Sequence, residues 1–185
     1  MGDLRSQLPV PIKKLVWNLK HGVLGYPKFV APSDVIEYLS PRLDERASVL
    51  DLGAGRGSLL RGLRERGWTG PFCGVEISRR ALRDARNFAD QRSTWIVSDI
   101  EGFRSPLRWD AITFVESVYY IALPRLPEVL SRFVGMLEES GFVLIRLHEL
   151  DKYREYIETI QELYPHLEKI GANLFRISNF EEEHS

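Results

Sequence analysis

The chain has 185 residues, of which 44% are hydrophobic and 28% charged, and its 25 basic against 26 acidic side chains give a formal net charge of -1. This length fits one α/β domain and excludes two full-sized domains, and the hydrophobic fraction is sufficient for a core. The nearly balanced charge excludes a global attraction to nucleic acid or an anionic membrane, and the single cysteine, Cys73, excludes an internal disulfide framework.

Membrane and export signals are not evident in the sequence. No stretch approaches the roughly 20 apolar residues that a membrane-spanning helix needs. The N-terminus lacks the order of basic and then apolar residues that marks a secretion signal. We therefore expect a cytoplasmic protein that does not associate with membranes.

Residues 1–46 precede the first predicted strand. They contain one or two helices, separated by a set of turn-forming residues: Gly22, Gly25, Pro27 and Pro32. We interpret this segment as a helical appendage to a domain of residues 47–180. The two parts together form a single globular unit.

From residue 47 onward, short apolar runs alternate with amphipathic stretches, which is typical of βαβ units around a parallel sheet. The predicted strands are Ser48–Leu52, Phe72–Glu76, Thr94–Val97, Ala111–Val115 and Phe142–Leu147. A Gly171-Ala172-Asn173 turn between Leu167–Ile170 and Leu174–Ile177 predicts a terminal antiparallel hairpin. The pattern thus predicts a doubly wound, seven-stranded α/β sheet, mostly parallel, with helices on both faces.

Three helices between these strands are predicted from apolar residues at three- and four-residue spacing. One has Ser78 as its N-cap and directs Ala81, Leu82 and Ala85 inward. A second begins at Pro127, keeps its apolar spacing as far as Leu137 and ends before Gly141. The last covers residues 151–163 and directs four apolar side chains inward: Tyr153, Ile157, Ile160 and Leu163.

A glycine-rich turn follows the first predicted strand, with the sequence Asp51-Leu52-Gly53-Ala54-Gly55-Arg56-Gly57. Glycine can adopt positive φ and lets a ligand lie against the backbone, where the start of a helix presents free N–H donors. A second acid, Glu76, ends the next predicted strand and is placed to accept both hydroxyls of a ribose. The pattern therefore indicates a ligand that carries a ribose.

Two features disfavour a nicotinamide dinucleotide as this ligand. The dinucleotide pattern G-x-G-x-x-G/A needs glycine or alanine at position 58, where this chain has Ser58. Asp51 would repel a pyrophosphate, whereas it suits a ligand with a positive group such as an ammonium or a sulfonium. A nicotinamide-dependent oxidoreductase remains an alternative.

The segment Asp51-x-Gly53-x-Gly55-x-Gly57 resembles motif I of the class I, Rossmann-like methyltransferases that depend on S-adenosylmethionine. The resemblance extends from about residue 47 to residue 178. Further motifs of the family follow in order, in Gly74-Val75-Glu76-Ile77-Ser78, in Ser98-Asp99-Ile100 and in the segment 109–117. The resemblance implies S-adenosylmethionine as cofactor and S-adenosylhomocysteine as product.

The same resemblance implies a role for each matched residue. Asp51 and the glycines would surround the methionyl and ribose portions, and Glu76 would hold the ribose hydroxyls. Asp99 would accept a hydrogen bond from the adenine amino group. The implied cofactor site consists of Asp51, Gly53, Gly55, Glu76, Ile77, Asp99, Ile100 and Val115.

A methyl group on a sulfonium is already activated, so the protein must align the acceptor in line and exclude water, and no metal is required. For a hydroxyl or a protonated amine a general base would help. His148 follows the fifth predicted strand and Glu116 the fourth, and both are candidates for this base. Candidates for the walls of the acceptor pocket are Trp17, His21, Tyr26, Tyr119 and Tyr120.

The segment Val115-Glu116-Ser117-Val118 lacks the Asn/Asp-Pro-Pro-Tyr/Phe sequence with which nucleic-acid amine methyltransferases of the family stack a flipped base. We therefore expect methyl transfer to an oxygen or nitrogen of a small molecule, with residues 1–46 as a lid. An RNA methyltransferase that uses the arginines after Ser78, and a non-catalytic S-adenosylmethionine-binding partner protein, remain alternatives. The sequence leaves the acceptor atom, the pathway and the oligomeric state open.

Overall fold

The computed structural model describes residues 7–22 and 31–179, and within them the side chains of residues 7–19 and 31–179. The helices of this part are α1 (Val10–Gly22), α2 (Ser33–Leu39), α3 (Ser58–Glu65), α4 (Arg79–Ala85), α5 (Leu126–Val134) and α6 (Arg154–Leu163). The strands are β1 (Val49–Leu52), β2 (Phe72–Glu76), β3 (Ser93–Val97), β4 (Trp109–Val115), β5 (Leu137–Arg146), β6 (Glu168–Lys169) and β7 (Leu174–Ser178).

All seven of these strands form one sheet in the order β3-β2-β1-β4-β5-β7-β6. Strands β1 to β5 pair in parallel, and β7 runs antiparallel to both β5 and β6. The predicted seven-stranded, mostly parallel sheet with a terminal hairpin is confirmed. Because the chain leaves β1 for β2 and β3 and returns to β4 on the other side, the carboxyl ends of β1 and β4 flank the position where such sheets bind ligands.

Alternate residues of the central strands enter two hydrophobic layers, as expected for a sheet covered on both faces. Leu50 and Ile112 belong to the layer that contains the buried side chains of α5 and α6. Val49 and Ala111 belong to the layer that contains those of α2 and α3. Helix α2 therefore contributes to the main core, and the boundary at residue 46 between an appendage and the domain stays a prediction.

The boundaries of two helices differ from those expected. The predicted cap of α4 is confirmed, since the Ser78 side chain accepts a hydrogen bond from the Ala81 N–H at 3.2 Å. Helix α5, in contrast, ends at Val134, and the prediction that its apolar face continues to Leu137 is wrong. Leu137 pairs with Trp109 in the sheet, so the chain has already entered β5, which also contains Gly141.

Helix α6 begins at Arg154, three residues after the predicted start at residue 151. Tyr153 and Ile160 are buried as predicted, whereas Leu163 is exposed. Within residues 7–22 and 31–179, none of the helices combines the length and the apolar character that crossing a membrane requires.

Candidate functional site

An open cleft lies at the carboxyl ends of β1 to β4, beneath one face of α1. Its wall includes every residue predicted for the cofactor: Asp51, Gly53, Gly55, Glu76, Ile77, Asp99, Ile100 and Val115. The fold thus brings the ends of four strands, far apart in the sequence, to one concave surface. Such a surface at the switch point of a parallel sheet is where small ligands bind.

The residues predicted for the acceptor pocket divide between the cleft and other places. Trp17, Tyr119, Tyr120 and Glu116 line the cleft. His148 is not among the residues that line the cleft, and its Nδ1 contacts Glu116, which is. The side chain of His21 and the whole of Tyr26 lie outside the described residues.

The glycine turn after β1 has the backbone conformation that its sequence predicts. Gly53 and Gly55 have φ angles of +83° and +53°, which lie in the left-handed region that side chains disfavour. A Cβ atom on Gly55 would find no neighbour nearer than the Gly53 carbonyl oxygen at 3.9 Å. Gly55 therefore leaves its backbone open to the cleft, where a ligand can lie against the peptide groups.

Asp51 is a buried carboxyl group at the floor of the cleft, with 3% of its surface exposed. Its Oδ1 accepts a hydrogen bond from the Thr113 Oγ1 at 2.8 Å. The pKa of Asp51 is raised to about 7: burial is the main cause, the Thr113 hydrogen bond opposes the rise, and the charge of Glu76 adds to it. A cationic ligand would favour the ionised form and so be held by it.

Glu76 fixes the loops on both sides of the cleft. Its Oε1 accepts from the Ser78 N–H at 2.7 Å and its Oε2 from the Gly55 N–H at 3.0 Å. Burial raises the pKa of Glu76, and these backbone hydrogen bonds oppose that rise. Because an ionised carboxylate has about four acceptor positions and the Ile77 N–H also bonds to Glu76, acceptor capacity remains for a hydroxyl group of a ligand.

Asp99 lies at the far end of the cleft, after β3. Its Oδ1 accepts from the Gly102 N–H at 2.8 Å, and this bond closes a short turn. The Ser98 N–H donates to the Glu76 carbonyl at 3.2 Å, so the turn is attached to the end of β2. Asp99 is partly exposed, and its remaining carboxylate positions can accept from an amino group.

At the opposite end of the cleft the structure brings together the two candidate bases. The Glu116 Oε2 accepts from the His148 N–H at 3.0 Å and also contacts the His148 Nδ1, while its Oε1 contacts the Arg146 Nη1. Glu116 has a φ angle of +56° and is the non-glycine residue with positive φ in the described part of the chain. Left-handed backbone at a bulky side chain is strained and typical of functional sites.

Aromatic rings form the wall beside Glu116. Tyr119 is 3% exposed and stacks on Tyr153 with ring centroids 4.0 Å apart. Burial raises the pKa of the Tyr119 phenol, so this side chain is neutral in the ordinary pH range. Tyr120 packs edge to face against Trp17 of α1 at 4.7 Å. The wall is therefore apolar and rigid, and only Glu116 among these residues carries a charge.

Helix α1 is attached to the cleft by contacts that the sequence analysis missed. The Lys13 Nζ lies 2.9 Å from the Glu101 Oε1, and the side chains of this ion pair are 10% and 13% exposed. The Asn18 Oδ1 accepts from the Ser78 Oγ at 3.0 Å. Lys13 and Glu101 are 88 positions apart, and no local pattern in the sequence indicates their contact.

The cleft has an acidic character. In the described part of the chain its charged lining consists of Asp51, Glu76, Asp99, Glu101 and Glu116 against Lys13 and Arg56. Both cations are engaged, Lys13 with Glu101 at 2.9 Å and Arg56 with Asp84 at 3.2 Å. The cleft therefore favours a cationic ligand over a polyanion such as pyrophosphate.

Comparison with known proteins assigns a family to most of the chain. A family model described as a methyltransferase domain matches residues 27–183. No curated protein sequence matches the chain.

Solved structures resemble the fold over most of its length. One is the N-methyltransferase NodS from Bradyrhizobium japonicum WM9, in complex with S-adenosyl-L-homocysteine. It is 18% identical to this chain with a TM-score of 0.65, and the match covers 80% of this chain and 85% of the NodS chain. The structure of DhpI in complex with S-adenosylhomocysteine is 14% identical with a TM-score of 0.65, and the match covers 90% of this chain and 94% of the DhpI chain. A complex of the Haloferax volcanii Trm112 methyltransferase activator with a methyltransferase gives 20% identity and a TM-score of 0.65, at coverages of 87% and 78%. At these identities the likeness establishes the fold alone.

Proposed function

This chain belongs to the methyltransferase domain family, and from that membership we propose that it transfers a methyl group from S-adenosylmethionine to an oxygen or nitrogen atom of a small molecule. The observation that carries the proposal is the acidic cleft, whose wall holds Asp51, Glu76 and Asp99 at the carboxyl ends of three neighbouring strands of the sheet. NodS and DhpI, which share the fold, were solved with S-adenosylhomocysteine. Their bound ligand supports the same cofactor here.

The residues of the cleft match the parts of S-adenosylmethionine one by one. Asp51 is a buried carboxyl group whose ionised form would be stabilised by the positive charges of the methionyl end. Glu76 has acceptor capacity left for a ribose hydroxyl, and the open backbone at Gly55 admits the ligand. Asp99 accepts from the adenine amino group, with Ile77 and Ile100 against the ring faces.

The bound cofactor supplies a methyl group on a positively charged sulfur, which becomes a neutral thioether when the methyl group is transferred. The acceptor approaches in line from the side of Glu116, next to Tyr119 and Tyr120, where the aromatic wall excludes water. His148 takes the proton of the acceptor on its Nε2, while Glu116 holds the opposite edge of the ring through Nδ1. No metal ion takes part in this proposal.

We assign α1 as the lid of the site. Lys13 and Trp17 line the cleft from above, and their contacts with Glu101 and Tyr120 fasten the helix over it. A ligand as large as S-adenosylmethionine enters more readily when these contacts open. Closure then removes water from the reacting atoms.

An RNA acceptor is the second candidate, because four arginines lie on the exposed face of α4 and its end: Arg79, Arg80, Arg83 and Arg86. The acidic cleft argues against it, since a phosphate backbone would have to approach Asp99 and Glu116. Binding of a single-stranded RNA that weakens steeply with salt would favour this candidate. Absence of such binding would leave the small molecule.

A thermal-shift experiment with S-adenosylmethionine, S-adenosylhomocysteine and NAD tests the cofactor. A ligand at 100 times its dissociation constant adds about 2.7 kcal/mol to the free energy of unfolding, which raises the midpoint by roughly 5–10 °C for a domain of this size. We expect this shift with both sulfur ligands and none with NAD. A shift with NAD alone would instead identify an oxidoreductase.

A panel of small amines and alcohols with S-adenosylmethionine then tests catalysis, through formation of S-adenosylhomocysteine. Turnover that depends on one member of the panel supports the proposed function. Tight cofactor binding with no turnover on any member would favour a non-catalytic partner protein.

A further inference from the structure

A row of charged side chains extends from α2 to the proposed base. The Arg146 Nε donates to both carboxylate oxygens of Asp34, at 3.2 and 3.1 Å, and its Nη1 contacts the Glu116 Oε1. The Glu116 Oε2 in turn contacts the Nδ1 of His148. Negative and positive groups therefore alternate from Asp34 to Arg146 to Glu116 and end at the imidazole.

The inner members of this row are shielded from water. The side chains of Glu116 and Arg146 are 10% and 18% exposed, whereas Asp34 is 42% exposed. A carboxylate as shielded as Glu116 is costly unless a cation and hydrogen bonds compensate its charge. Arg146 supplies that cation, and the strained backbone of Glu116 directs the carboxylate toward it.

Two carboxylates and two tyrosine rings surround the imidazole ring of His148. Glu116 contacts Nδ1, and the Glu149 Oε1 lies 2.7 Å from Nε2. Tyr119 and Tyr153 pack edge to face at centroid distances of 6.1 and 6.0 Å, and both are phenols. Lys152 lies 3.2 Å from the same Glu149 oxygen.

Only one of the two carboxylates is fixed. Glu149 is 51% exposed and shares its Oε1 with Lys152, so an acceptor can displace it from Nε2. Glu116 is held by Arg146 and by the His148 N–H. Since an ionised carboxylate only accepts hydrogen bonds, a neutral His148 carries its proton on Nδ1 and has the lone pair of Nε2 on the opposite edge of the ring, where Glu149 lies.

We propose that Arg146 and Asp34 are positioning residues, which act through Glu116 to orient His148 and to set how readily it takes a proton. This inference rests on the proposed function for its catalytic meaning. The positive charge of Arg146 keeps the Glu116 carboxylate from trapping a proton on the imidazole. Asp34 holds the guanidinium in place and partly offsets its charge.

The alternating charges give a test in which the two residues have opposite effects. Loss of the cation in Arg146→Met leaves Glu116 uncompensated, so His148 should hold its proton to higher pH than in the wild type. Loss of the anion in Asp34→Asn leaves the positive charge of Arg146 less compensated, so Arg146 neutralises Glu116 more strongly. His148 should then release its proton at a lower pH, by about a few tenths of a unit because this charge is more distant and exposed.

The measurement is an NMR titration of the imidazole signals of the full chain. The chain has four histidines, and the signal that disappears in His148→Gln identifies His148. Arg146→Lys keeps the charge and should restore most of the wild-type titration. The thermal midpoint of each variant is first compared with that of the wild type. If Arg146→Met does not fold, Asp34→Asn, which changes a half-exposed residue, still provides the test.

Asp90→Asn is the matched control. It removes an aspartate whose contact with Arg64, at 2.7 Å, has side-chain exposures of 40% and 19%, nearly those of Asp34 and Arg146. It should leave the His148 titration unchanged. A shift of the same sign in Arg146→Met and Asp34→Asn, or no shift in either, would overturn the proposal.

The same experiment separates this inference from the proposed function. Calorimetry with S-adenosylhomocysteine should give equal affinities for the wild type and both variants. If the wild type does not bind this ligand, the proposed function fails while the titration result stands. If all bind equally and the opposite shifts are absent, only the positioning role fails.

Discussion

Gly53 and Ser117 lie so close that a Cβ atom on Gly53 would stand 2.6 Å from the Cβ of Ser117. The contact joins the turn after β1 to the residue that follows Glu116 at the end of β4. The Ser117 hydroxyl also donates to the Leu52 carbonyl, one residue before the glycine. The two loops that border the cleft are therefore fitted to each other, and the fit requires glycine.

The first prediction follows from this contact. Gly53→Ala should lower the free energy of unfolding by about 2–5 kcal/mol, because a left-handed alanine costs roughly 1–2 kcal/mol and the overlap with Ser117 adds about 1–3 kcal/mol. Urea unfolding measures the difference.

Gly67→Ala is the control for this prediction. Gly67 has a φ of +86°, close to that of Gly53, but a Cβ there would have no neighbour within 4 Å. Gly67→Ala should lower the free energy of unfolding only by the cost of a left-handed alanine, about 1–2 kcal/mol. Equal losses in the two variants would show that the contact with Ser117 does not limit position 53.

The second prediction concerns pH and Asp51. Burial raises its pKa in the folded protein to about 7, above the unfolded value, so the folded state binds more protons and the ligand-free protein loses stability as pH rises from about 4 to 7. A cationic ligand needs the ionised form. Its affinity should therefore increase with pH, by up to about tenfold per unit below pH 7.

Calorimetric titration of S-adenosylmethionine between about pH 5.5 and 8.5 checks this dependence. Asp51→Asn should bind more weakly at pH 8.5 and should lose most of the pH dependence, with the remainder due to Glu76, whose pKa burial also raises. An affinity that stays constant with pH in the wild type would contradict the assignment of Asp51 to the positive end of the cofactor.

The third prediction tests the lid. Lys13→Met removes an ion pair whose two side chains are largely buried, and Glu101 keeps its longer contacts with Arg125 at 3.4 Å and with the Ala122 N–H at 3.3 Å. Opening of α1 should become easier by about 1–2 kcal/mol, so bound S-adenosylhomocysteine should dissociate roughly tenfold faster. Stopped-flow displacement measures this rate.

Lys14→Met, on the next residue of α1, provides the comparison for the lid. Lys14 is partly exposed and does not line the cleft, so its replacement should leave the dissociation rate near that of the wild type. If Lys13→Met and Lys14→Met release the ligand equally fast, the ion pair does not hold the lid.

The cofactor half of the site could be predicted from the sequence because each of its residues lies at or near the carboxyl end of a strand, within a short motif. Gly53 follows β1, Glu76 ends β2 and Asp99 lies two residues after β3, and parallel strands bring such positions to one edge. The end of α5 could not be predicted in the same way. Leu137 continues the helical spacing of apolar residues, yet its partner is Trp109 in the sheet, and that pairing is not visible locally.

The charged contacts of the site depend on tertiary structure and were missed. Asp34 and Arg146 are 112 positions apart, so no periodicity relates them. Arg146 did leave one signal, since it is a charged residue inside the otherwise apolar run of the fifth predicted strand. A charge at such a position needs a partner, and the structure supplies Glu116 and Asp34.

The last prediction concerns the base itself. With an acceptor identified by the panel, His148→Gln should lower kcat by about 10²–10⁴, the usual contribution of a general base, and leave the affinity for S-adenosylhomocysteine unchanged. The pH dependence of kcat that arises from His148 should also disappear. Arg146→Met should move the acidic limb of the wild-type kcat profile to higher pH, because His148 must lose its proton before it can accept another. The same substitution should have no such effect in the His148→Gln background. If His148→Gln keeps the full rate at every pH, the proton leaves by another route, and the row from Asp34 to Glu116 serves the fold of β5 rather than the reaction.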